Sequence, residues 1–91
     1  MLNHEVEITN KLGLHARASA KVTQLAGKFA SQVFLARDGR KVNAKSILSV
    51  MMLAAGKGTR VAIEIDGSDE KEAMQAMVHL IENKLEQERV E

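Results

Sequence analysis

An Asp-Gly pair at positions 38 and 39 constrains the fold more than any other feature of the sequence, because strand-like segments lie on both sides of it. The segment before it, residues 31–37, has strand formers at its centre: Val33, Phe34 and Leu35. Asp-Gly in this setting is a strong signal for a two-residue hairpin turn. We therefore predict that residues 31–37 and 40–43 pair as antiparallel strands.

Two other segments show the alternation of apolar and polar residues that is typical of half-buried strands. In residues 4–9, the apolar residues Val6 and Ile8 alternate with glutamates. Residues 60–66 show the clearest alternation in the chain, with the inward positions occupied by Val61, Ile63 and Ile65. We predict that both segments are strands.

Residues 16–26 show the spacing of an amphipathic helix. Its predicted buried stripe consists of Ala18, Val22, Leu25, Ala26 and Phe29. Gly27 follows the last of the closely spaced positions and is predicted to end the helix in the left-handed conformation. The opposite face, with Ala16, Ala20 and Thr23, is expected to be exposed.

A second helix is predicted to begin after Ser46, whose side chain can cap it, and to end at Gly56 and Gly58. Its apolar residues fall on two faces, one with Ile47, Val50 and Ala54 and the other with Leu48, Met51, Met52 and Ala55. Because a small domain has one core, we expect one face to remain exposed as a docking surface for another protein. The alternative is a short helix that lies deep in the core with both faces covered.

The final predicted helix begins at Ser68 or Asp69, and Asp69 and Glu72 have the spacing of a capping box. Its apolar face is broad and is predicted to be buried: Ala73, Met74, Met77, Val78, Leu80, Ile81 and Leu85. His79 falls among the polar residues of this helix, and His4 lies at an edge or outward position of the first strand. We assign no role to either histidine.

The predicted elements follow in the order strand, helix, strand, strand, helix, strand, helix. Four strands and three helices in this order favour an α+β fold, in which an antiparallel sheet carries the helices on one face. The length of 91 residues suits a single domain, residues 1–91, and the sequence contains no linker, internal repeat or low-complexity segment.

The residue composition excludes several classes of site. The chain has no cysteine, so neither a disulfide nor a thiolate metal site is available, and a reducing cytoplasm is the expected setting. The histidines, at positions 4, 15 and 79, lack the spacing of metal ligands. We therefore expect neither a metal nor a cofactor.

The net charge and the aromatic content argue against nucleic acid and membranes as partners. The formal net charge of +1 gives no reason to expect nucleic acid or an anionic membrane, and an aromatic content of 2% leaves no platform for stacking bases. The longest apolar run, residues 47–55, is too short to span a bilayer. No secretory leader is recognisable at the start of the sequence, so we expect no export.

The stretch at residues 13–20, which reads GLHARASA, places His15 at the start of the first predicted helix. Unpaired N–H groups and aligned peptide dipoles make a helix start a binding site for an anion, and they favour an uncharged imidazole there. Arg17 adds a fork-shaped cation that suits phosphate oxygens. These features indicate a histidine that accepts and passes on a phosphoryl group. The alternative is a histidine that only caps the helix or faces solvent.

Two stretches of the sequence, GLHARASAK and VNAKSILSVMMLAAGKGTRV, resemble the HPr family of histidine-containing phosphocarriers of the bacterial phosphotransferase system. The second stretch is similar to the family's signature around its regulatory serine. Together the two stretches cover about a third of the chain, and the order of elements is that of the family. The resemblance implies an open-faced β-sandwich with sheet order 1-4-2-3.

The resemblance also implies a role for particular residues. His15 would be phosphorylated on Nδ1 by enzyme I, with phosphoenolpyruvate as the ultimate donor, and would pass the group to an enzyme IIA domain. Arg17 would stabilise the group during transfer, and Ser46 would be the target of the ATP-dependent HPr kinase/phosphorylase. The surface that meets the partners would include Ala16, Ala20, Leu48 and Met51. The carrier would be a monomer and not an enzyme with its own substrate pocket.

One position departs from the family pattern, because Ala18 occupies the place of the proline that usually follows the arginine. Proline suits the first turn of a helix, so alanine is expected to loosen the helix start without removing a phosphate ligand. The sequence leaves open a nitrogen-related paralogue of the carrier with a regulatory role. It also leaves open that Ser46 is only a helix cap.

The sequence also leaves open two functions from other classes. A small hydrolase of acyl phosphates would use Arg17 to grip phosphate and Asn10, which is the only nearby amide, to position water. A pure interaction module would use Leu48 and Met51 and would never carry phosphate. Retention of His15 beside Arg17 argues against the second reading.

Overall fold

The computed structural model describes residues 1–85 of the chain, and residues 86–91 lie outside the description. Within the described range the elements are β1 (Leu2–Glu7), α1 (Ala16–Ala26), β2 (Gln32–Arg37), β3 (Arg40–Asn43), α2 (Ile47–Met52), β4 (Arg60–Asp66) and α3 (Glu70–His79). One π-helical turn, Leu80–Lys84, follows α3 directly. The order is the one predicted from the sequence.

The strands form a four-stranded sheet in the order β1-β4-β2-β3, and every neighbouring pair is antiparallel. The predicted hairpin joins β2 to β3, and Asp38 and Gly39 have φ angles of 51° and 77°. Positive φ at both central residues is what a two-residue hairpin turn of type I′ requires. The predicted antiparallel sheet and its order 1-4-2-3 are therefore confirmed.

The helices cover one face of the sheet and enclose one core. The inward residues of the strands pack against the apolar stripes of the helices, and fully buried members of this cluster include Val6, Leu35, Ile63, Ile65, Val22, Ala18, Met77 and Ile81. Burial of a Val, Leu or Ile side chain contributes about 1.5–3 kcal/mol relative to exposure. The opposite face of the sheet carries no helix in the described part of the chain. This is the predicted α+β arrangement with one open face.

The predicted bounds of the first strand are wrong, and so is the predicted conformation of Gly27, although α1 ends at Ala26 as predicted. The strand begins at Leu2 instead of His4. The first strand ends at Glu7 instead of Thr9 because the ladder between β1 and β4 stops there, although Ile8 is buried as predicted. Gly27 is not left-handed, since its φ is −67°. The turn continues past it with a bond from Lys28 N to Leu25 O of 3.0 Å, so no left-handed residue is needed there.

The start of α3 also differs from the prediction. Asp69 is the N-cap residue, but its side chain makes no capping hydrogen bond and no capping box with Glu72 forms. Its carboxylate instead accepts hydrogen bonds from Ala30 N at 2.9 Å, from Ser31 N at 3.0 Å and from the Ser31 hydroxyl. These bonds hold the pKa of Asp69 below its ordinary value, the Ser31 hydroxyl being the largest cause. Asp69 therefore connects the start of α3 to the loop that follows α1.

Candidate functional site around His15

The loop before α1 lies directly against the chain that follows α2. Gly13 has a φ of +67°, and a Cβ atom at this position would lie 2.4 Å from the carbonyl oxygen of Ala55 and 2.7 Å from the Cα atom of Gly56. Leu14 N donates a hydrogen bond of 2.9 Å to the same Ala55 oxygen. Glycine is required at position 13 both for its backbone angle and for this close approach.

Two buried polar side chains hold this loop in shape. Asn10 Nδ2 donates to Gly13 O at 2.8 Å, and Ser19 Oγ donates to Leu14 O at 3.0 Å. Both side chains are buried, so each bond satisfies a carbonyl that solvent does not reach. The role of Ser19 was not predicted from the sequence, although its position directly after Ala18 of the buried stripe was an available signal.

The structure places Asn10 differently from what a hydrolase of acyl phosphates would need. Its amide nitrogen is engaged with Gly13 O, and the residue is only 2% exposed. An amide in this position supports the loop and does not face a substrate water. The hydrolase reading therefore loses the only amide on which it depended.

His15 is the N-cap residue of α1. Its backbone is extended, with φ −76° and ψ −177°, and its ring nitrogen Nδ1 accepts a hydrogen bond of 3.2 Å from Arg17 N. Ser, Thr, Asp or Asn usually plays this capping role, so the imidazole has taken the place of a side-chain oxygen. The contact assigns an unprotonated Nδ1, because a protonated nitrogen could not accept from an N–H group.

The ring of His15 is accessible and is not sealed inside the core. The residue is half-buried, and its carbonyl oxygen accepts from Ser19 N at 2.8 Å, which anchors its backbone to the first turn of α1. Arg17 and Ala16 are exposed beside it. Backbone N–H groups of the first turn have no intrahelical acceptors, and the described first turn of α1 contains no acidic residue that would repel an anion.

Helix α2 exposes an apolar surface that we call the α2 patch: Ile47, Leu48, Met51 and Met52. Leu48 is 68% exposed and Met52 65% exposed, whereas Val50 of the same helix is fully buried. The predicted exposure of one apolar side is thus confirmed, and the alternative of a fully covered helix is wrong. The predicted division into faces is wrong in part. Ile47, predicted on the same face as Val50, is 38% exposed, whereas Ala55, predicted with Leu48, is buried in the chain beyond the end of α2 at Met52.

The residues predicted to meet partners lie on two helices that pack against each other, α1 and α2. Ala16 is exposed on α1, and Ala20 is half-buried instead of fully exposed. Leu48 and Met51 lie on α2 as members of the α2 patch. The loop of His15 leads into α1, and its Leu14 N bonds to Ala55 O in the chain that follows α2.

Both ends of α2 are held by side chains. At its start, Ser46 Oγ accepts from Ser49 N at 3.4 Å, as predicted for an N-cap. At its end, Arg37 Nη1 donates to Leu53 O at 2.7 Å and to Ala54 O at 3.1 Å. Arg40 Nη1 adds a bond of 3.0 Å to Met52 O. The helix thus ends before Gly56 and Gly58, in contrast to the prediction, at a group of arginine-bound carbonyls.

The remaining histidines take no part in this site. His4 lies exposed on β1, and His79 lies exposed at the end of α3, where its Nδ1 is 3.3 Å from Asn83 Nδ2. Across residues 1–85, no group of three or more His, Cys, Asp or Glu residues is arranged to hold a metal ion. No helix in that range is both long enough and apolar enough to cross a membrane.

Comparisons with known proteins extend this picture to nearly the whole chain. The family described as "PTS HPr component phosphorylation site" matches residues 2–83. The chain is 63% identical over 84 residues to the phosphocarrier protein HPr of Cupriavidus necator, covering 92% of this chain and 94% of that protein. A crystal structure of HPr-C-His from Thermoanaerobacter tengcongensis matches with a TM-score of 0.90 and 43% identity over 99% of this chain and 100% of that one. A crystal structure of an HPr dimer from the same organism matches with a TM-score of 0.74 and 47% identity, covering 93% of this chain and 98% of that one.

Proposed function

Because the chain belongs to the HPr family of phosphocarrier proteins, we propose that His15 accepts a phosphoryl group from phospho-enzyme I and passes it to an enzyme IIA domain. The observation that carries the proposal is the bond between His15 Nδ1 and Arg17 N at the start of α1. This bond supports a lone pair on His15 Nδ1 that can attack phosphorus. It also supports the presence, beside that nitrogen, of backbone N–H groups that can bind an anion.

The transfer balances as a simple displacement. The Nδ1 lone pair attacks phosphorus, a P–N bond forms at His15, and the bond from phosphorus to the donor atom breaks with its electron pair retained by the donor. The proton on Nε2 stays in place, so the phosphorylated ring carries positive charge and remains a good leaving group. The next acceptor can therefore take the phosphoryl group by the same displacement.

The start of α1 supplies the groups that stabilise the phosphoryl oxygens. Arg17 N, which donates to Nδ1 in the unphosphorylated protein, is placed to donate to an oxygen once Nδ1 carries phosphorus. Arg17 is exposed beside His15, and its guanidinium stabilises the negative charge of the phosphoryl oxygens while the group arrives and leaves. A hydrogen bond to a charged group contributes about 1.5–3 kcal/mol, and each such bond favours the phosphorylated state.

Docking occurs in our proposal on the surface formed by Ala16, Ala20, Leu48 and Met51. An exposed apolar surface beside a reactive residue suits a partner that binds briefly and leaves, as a carrier between two proteins requires. The protein then acts as a stoichiometric intermediate, as one domain over residues 1–91 and as a monomer. Analytical ultracentrifugation checks the monomer against the dimer seen for the relative.

Ser46 is proposed as a regulatory phosphorylation site for an ATP-dependent HPr kinase/phosphorylase. It is half-buried at the start of α2, where phosphate is tolerated electrostatically. Phosphate there would add about two negative charges beside Leu48 and Met51. We therefore expect it to weaken docking to an acidic partner more than it weakens the fold.

The carrier proposal is tested by incubation with enzyme I and phosphoenolpyruvate. We expect acid-labile phosphate on the wild-type protein and on His79→Ala, which removes an exposed histidine outside the site. We expect none on His15→Ala. Phosphate that remains on His15→Ala, measured by intact-protein mass spectrometry, would show that another residue carries it.

The regulatory proposal is tested with a charge at position 46. We expect Ser46→Asp to lower kcat/KM for phosphoryl transfer from enzyme I about tenfold, which corresponds to about 1.4 kcal/mol. Ser46→Ala removes only the cap and is expected to cost about 1 kcal/mol of stability. Equal transfer rates for the two variants would contradict a regulatory role.

A nitrogen-related paralogue of the same carrier is the second candidate, and the observation that favours it is Ala18 in place of proline. Ala18 is fully buried in the first turn of α1, so the departure lies in the helix turn that His15 caps. Incubation with each paralogue of enzyme I, scored by the initial rate of transfer, separates the two branches.

A further inference from the structure

Two neighbouring methionines, Met51 and Met52, present their side chains to solvent on α2. Met52 is 65% exposed and Met51 36% exposed, in a helix of six residues. A thioether is among the side-chain groups that mild oxidants attack most readily, and access to the sulfur governs the rate.

The other methionines of the chain provide a built-in comparison. Met77 is fully buried and Met74 is 9% exposed, so both are protected as long as the protein is folded. Met1 is 67% exposed but lies by the start of α3, where its amino group is 3.2 Å from Glu70 Oε1. Among these five methionines, Met51 and Met52 are the two that are both exposed and part of the α2 patch.

We propose that Met51 and Met52 are a site of reversible oxidation by hydroperoxides, and that their sulfoxides switch off docking at the α2 patch. The inference rests on the proposed function, because it assigns a consequence to the surface that the carrier uses. It adds a modification site and a chemical signal that the carrier role alone does not require.

Oxidation of the thioether by a hydroperoxide requires no cofactor. The methionine sulfur attacks one oxygen of the hydroperoxide, an S–O bond forms, and the O–O bond breaks. The leaving hydroxide or alkoxide takes the proton from the oxygen now bound to sulfur, which yields the sulfoxide and water or an alcohol, so the thioether loses two electrons and the peroxide gains them. A reductase that uses two thiols reverses the step and yields the thioether, a disulfide and water.

The sulfoxide changes the surface more than the fold. The sulfoxide oxygen is a hydrogen-bond acceptor. Docking would bury this oxygen against a partner surface that is complementary to an apolar side chain, and burial without a hydrogen-bond donor is unfavourable. The fold has little reason to respond, since Met52 is 65% exposed and Met51, at 36%, does not belong to the buried core cluster. The backbone of α2 is held independently by Ser46 at one end and by Arg37 and Arg40 at the other.

The experiment compares transfer rates before and after oxidation within each variant. The protein is treated with hydrogen peroxide, the peroxide is removed with catalase, and only then are enzyme I and phosphoenolpyruvate added. Peptide mass spectrometry locates the sulfoxides. The double variant Met51→Leu/Met52→Leu keeps two apolar side chains of similar volume and keeps Met1, so it controls for oxidation elsewhere.

We expect oxidation of wild type to lower kcat/KM for transfer about tenfold, and we expect a sulfoxide reductase with a dithiol to restore it. The same treatment should leave the ratio for Met51→Leu/Met52→Leu near one. The thermal midpoint of the oxidised wild type should stay within about 2 °C of the untreated protein.

Three outcomes would overturn the inference. These are an unchanged rate when both sulfoxides are present, an equal loss in the double variant, and oxidation of Met74 or Met77 that parallels the loss and so indicates unfolding. Failure of the untreated protein to accept phosphate would instead contradict the proposed function, so the two failures are distinguishable.

Discussion

The start of α1 and the whole of α2 lie side by side, but they are built on opposite principles. Around His15 the backbone is fixed by specific contacts. Asn10 and Ser19 each donate a hydrogen bond to the loop, and Gly13 lies directly against Ala55 and Gly56. In α2 the side-chain hydrogen bonds lie at the two ends, Val50 anchors the middle in the core, and four of the six residues of the helix are exposed.

This difference suits the two tasks that we assign to the regions. Chemistry at a single nitrogen requires that Nδ1 and the first amides of α1 keep one geometry, because transfer is sensitive to small displacements. Docking to more than one partner instead benefits from an adaptable apolar surface, for which leucine and methionine are suited. In the proposed function, a rigid donor and an adaptable surface on adjacent helices would allow one small domain to serve two partners in turn.

The largest effect is expected from a substitution at Gly13 in the loop before α1. Gly13→Ala introduces a Cβ atom 2.4 Å from Ala55 O at a residue with φ +67°, so we expect a loss of about 3 kcal/mol in the free energy of unfolding. Urea denaturation measures it. The matched control is Gly56→Ala in the facing chain, where an added Cβ meets no atom within 4 Å and a change within about 0.5 kcal/mol is expected. Similar losses in both variants would contradict the account of the loop.

The next effect loosens the end of α2. Arg37→Ala removes the donor to both Leu53 O and Ala54 O, and we expect a loss of about 1.5 kcal/mol in the free energy of unfolding. Arg40→Ala removes the donor to Met52 O alone and should cost about 0.5 kcal/mol. Chemical denaturation of the two variants in parallel checks the order, and a larger cost for Arg40→Ala would show that packing and not capping dominates.

A smaller effect concerns Ala54, which lies two residues beyond the end of α2 at Met52. Ala54 has a φ of +54°, which costs an alanine about 1 kcal/mol relative to glycine. We expect Ala54→Gly to raise the free energy of unfolding by about 0.5 kcal/mol, after allowance for the greater freedom of glycine in the unfolded chain. Ala55→Gly is the control, because Ala55 is buried and its φ is not positive, so the same change there should destabilise. Thermal unfolding distinguishes a gain from a loss.

The smallest effect concerns the far end of α1, which Asp69 connects to α3. Because the pKa of Asp69 is lowered by the Ser31 hydroxyl and the amides of Ala30 and Ser31, the folded state binds fewer protons than the unfolded state. This contribution is complete above the ordinary value of 3.8 and is lost as the pH falls through the lower folded pKa. We expect wild type to lose stability in that acid window and Asp69→Asn to lose less.

Thermal unfolding between neutral pH and about pH 2 measures this difference. Glu70 adds to the acid loss in both proteins, because its pKa is lowered by a hydrogen bond from Gly67 N and by the amino terminus. Asp66→Asn, which leaves the Asp69 contacts intact, is the control and should follow wild type. Identical curves for Asp69→Asn and wild type would contradict the role of this connection.

Local patterns were sufficient for most elements of the fold. The helix at Ala16–Ala26, the strand at Arg60–Asp66 and the hairpin at Asp38 and Gly39 form where the sequence predicts, because each depends on spacing or turn chemistry within a few residues. The position of His15 at a helix start follows from the same kind of information. The exposure of Leu48, Met51 and Met52 was also predicted, from an excess of apolar residues over the one core available, whereas the exposure of Ile47 was not.

The contacts that hold the site could not be predicted in this way. Asp69 has the sequence position of a helix cap and yet binds Ser31, and Arg37 binds carbonyls beyond α2 instead of facing solvent. Each of these side chains could bond to several partners, and the partner is selected only when segments far apart in sequence are packed together.

The sequence by itself therefore determined the order of the elements, the antiparallel sheet and the histidine at the start of α1, since periodicity and turn residues act locally. The tertiary structure alone decided where the loop of His15 rests and which side chains hold α2. The physical reason is that a hydrogen bond stabilises a fold only when both partners have already been brought to one place, and that depends on the packing of the whole chain.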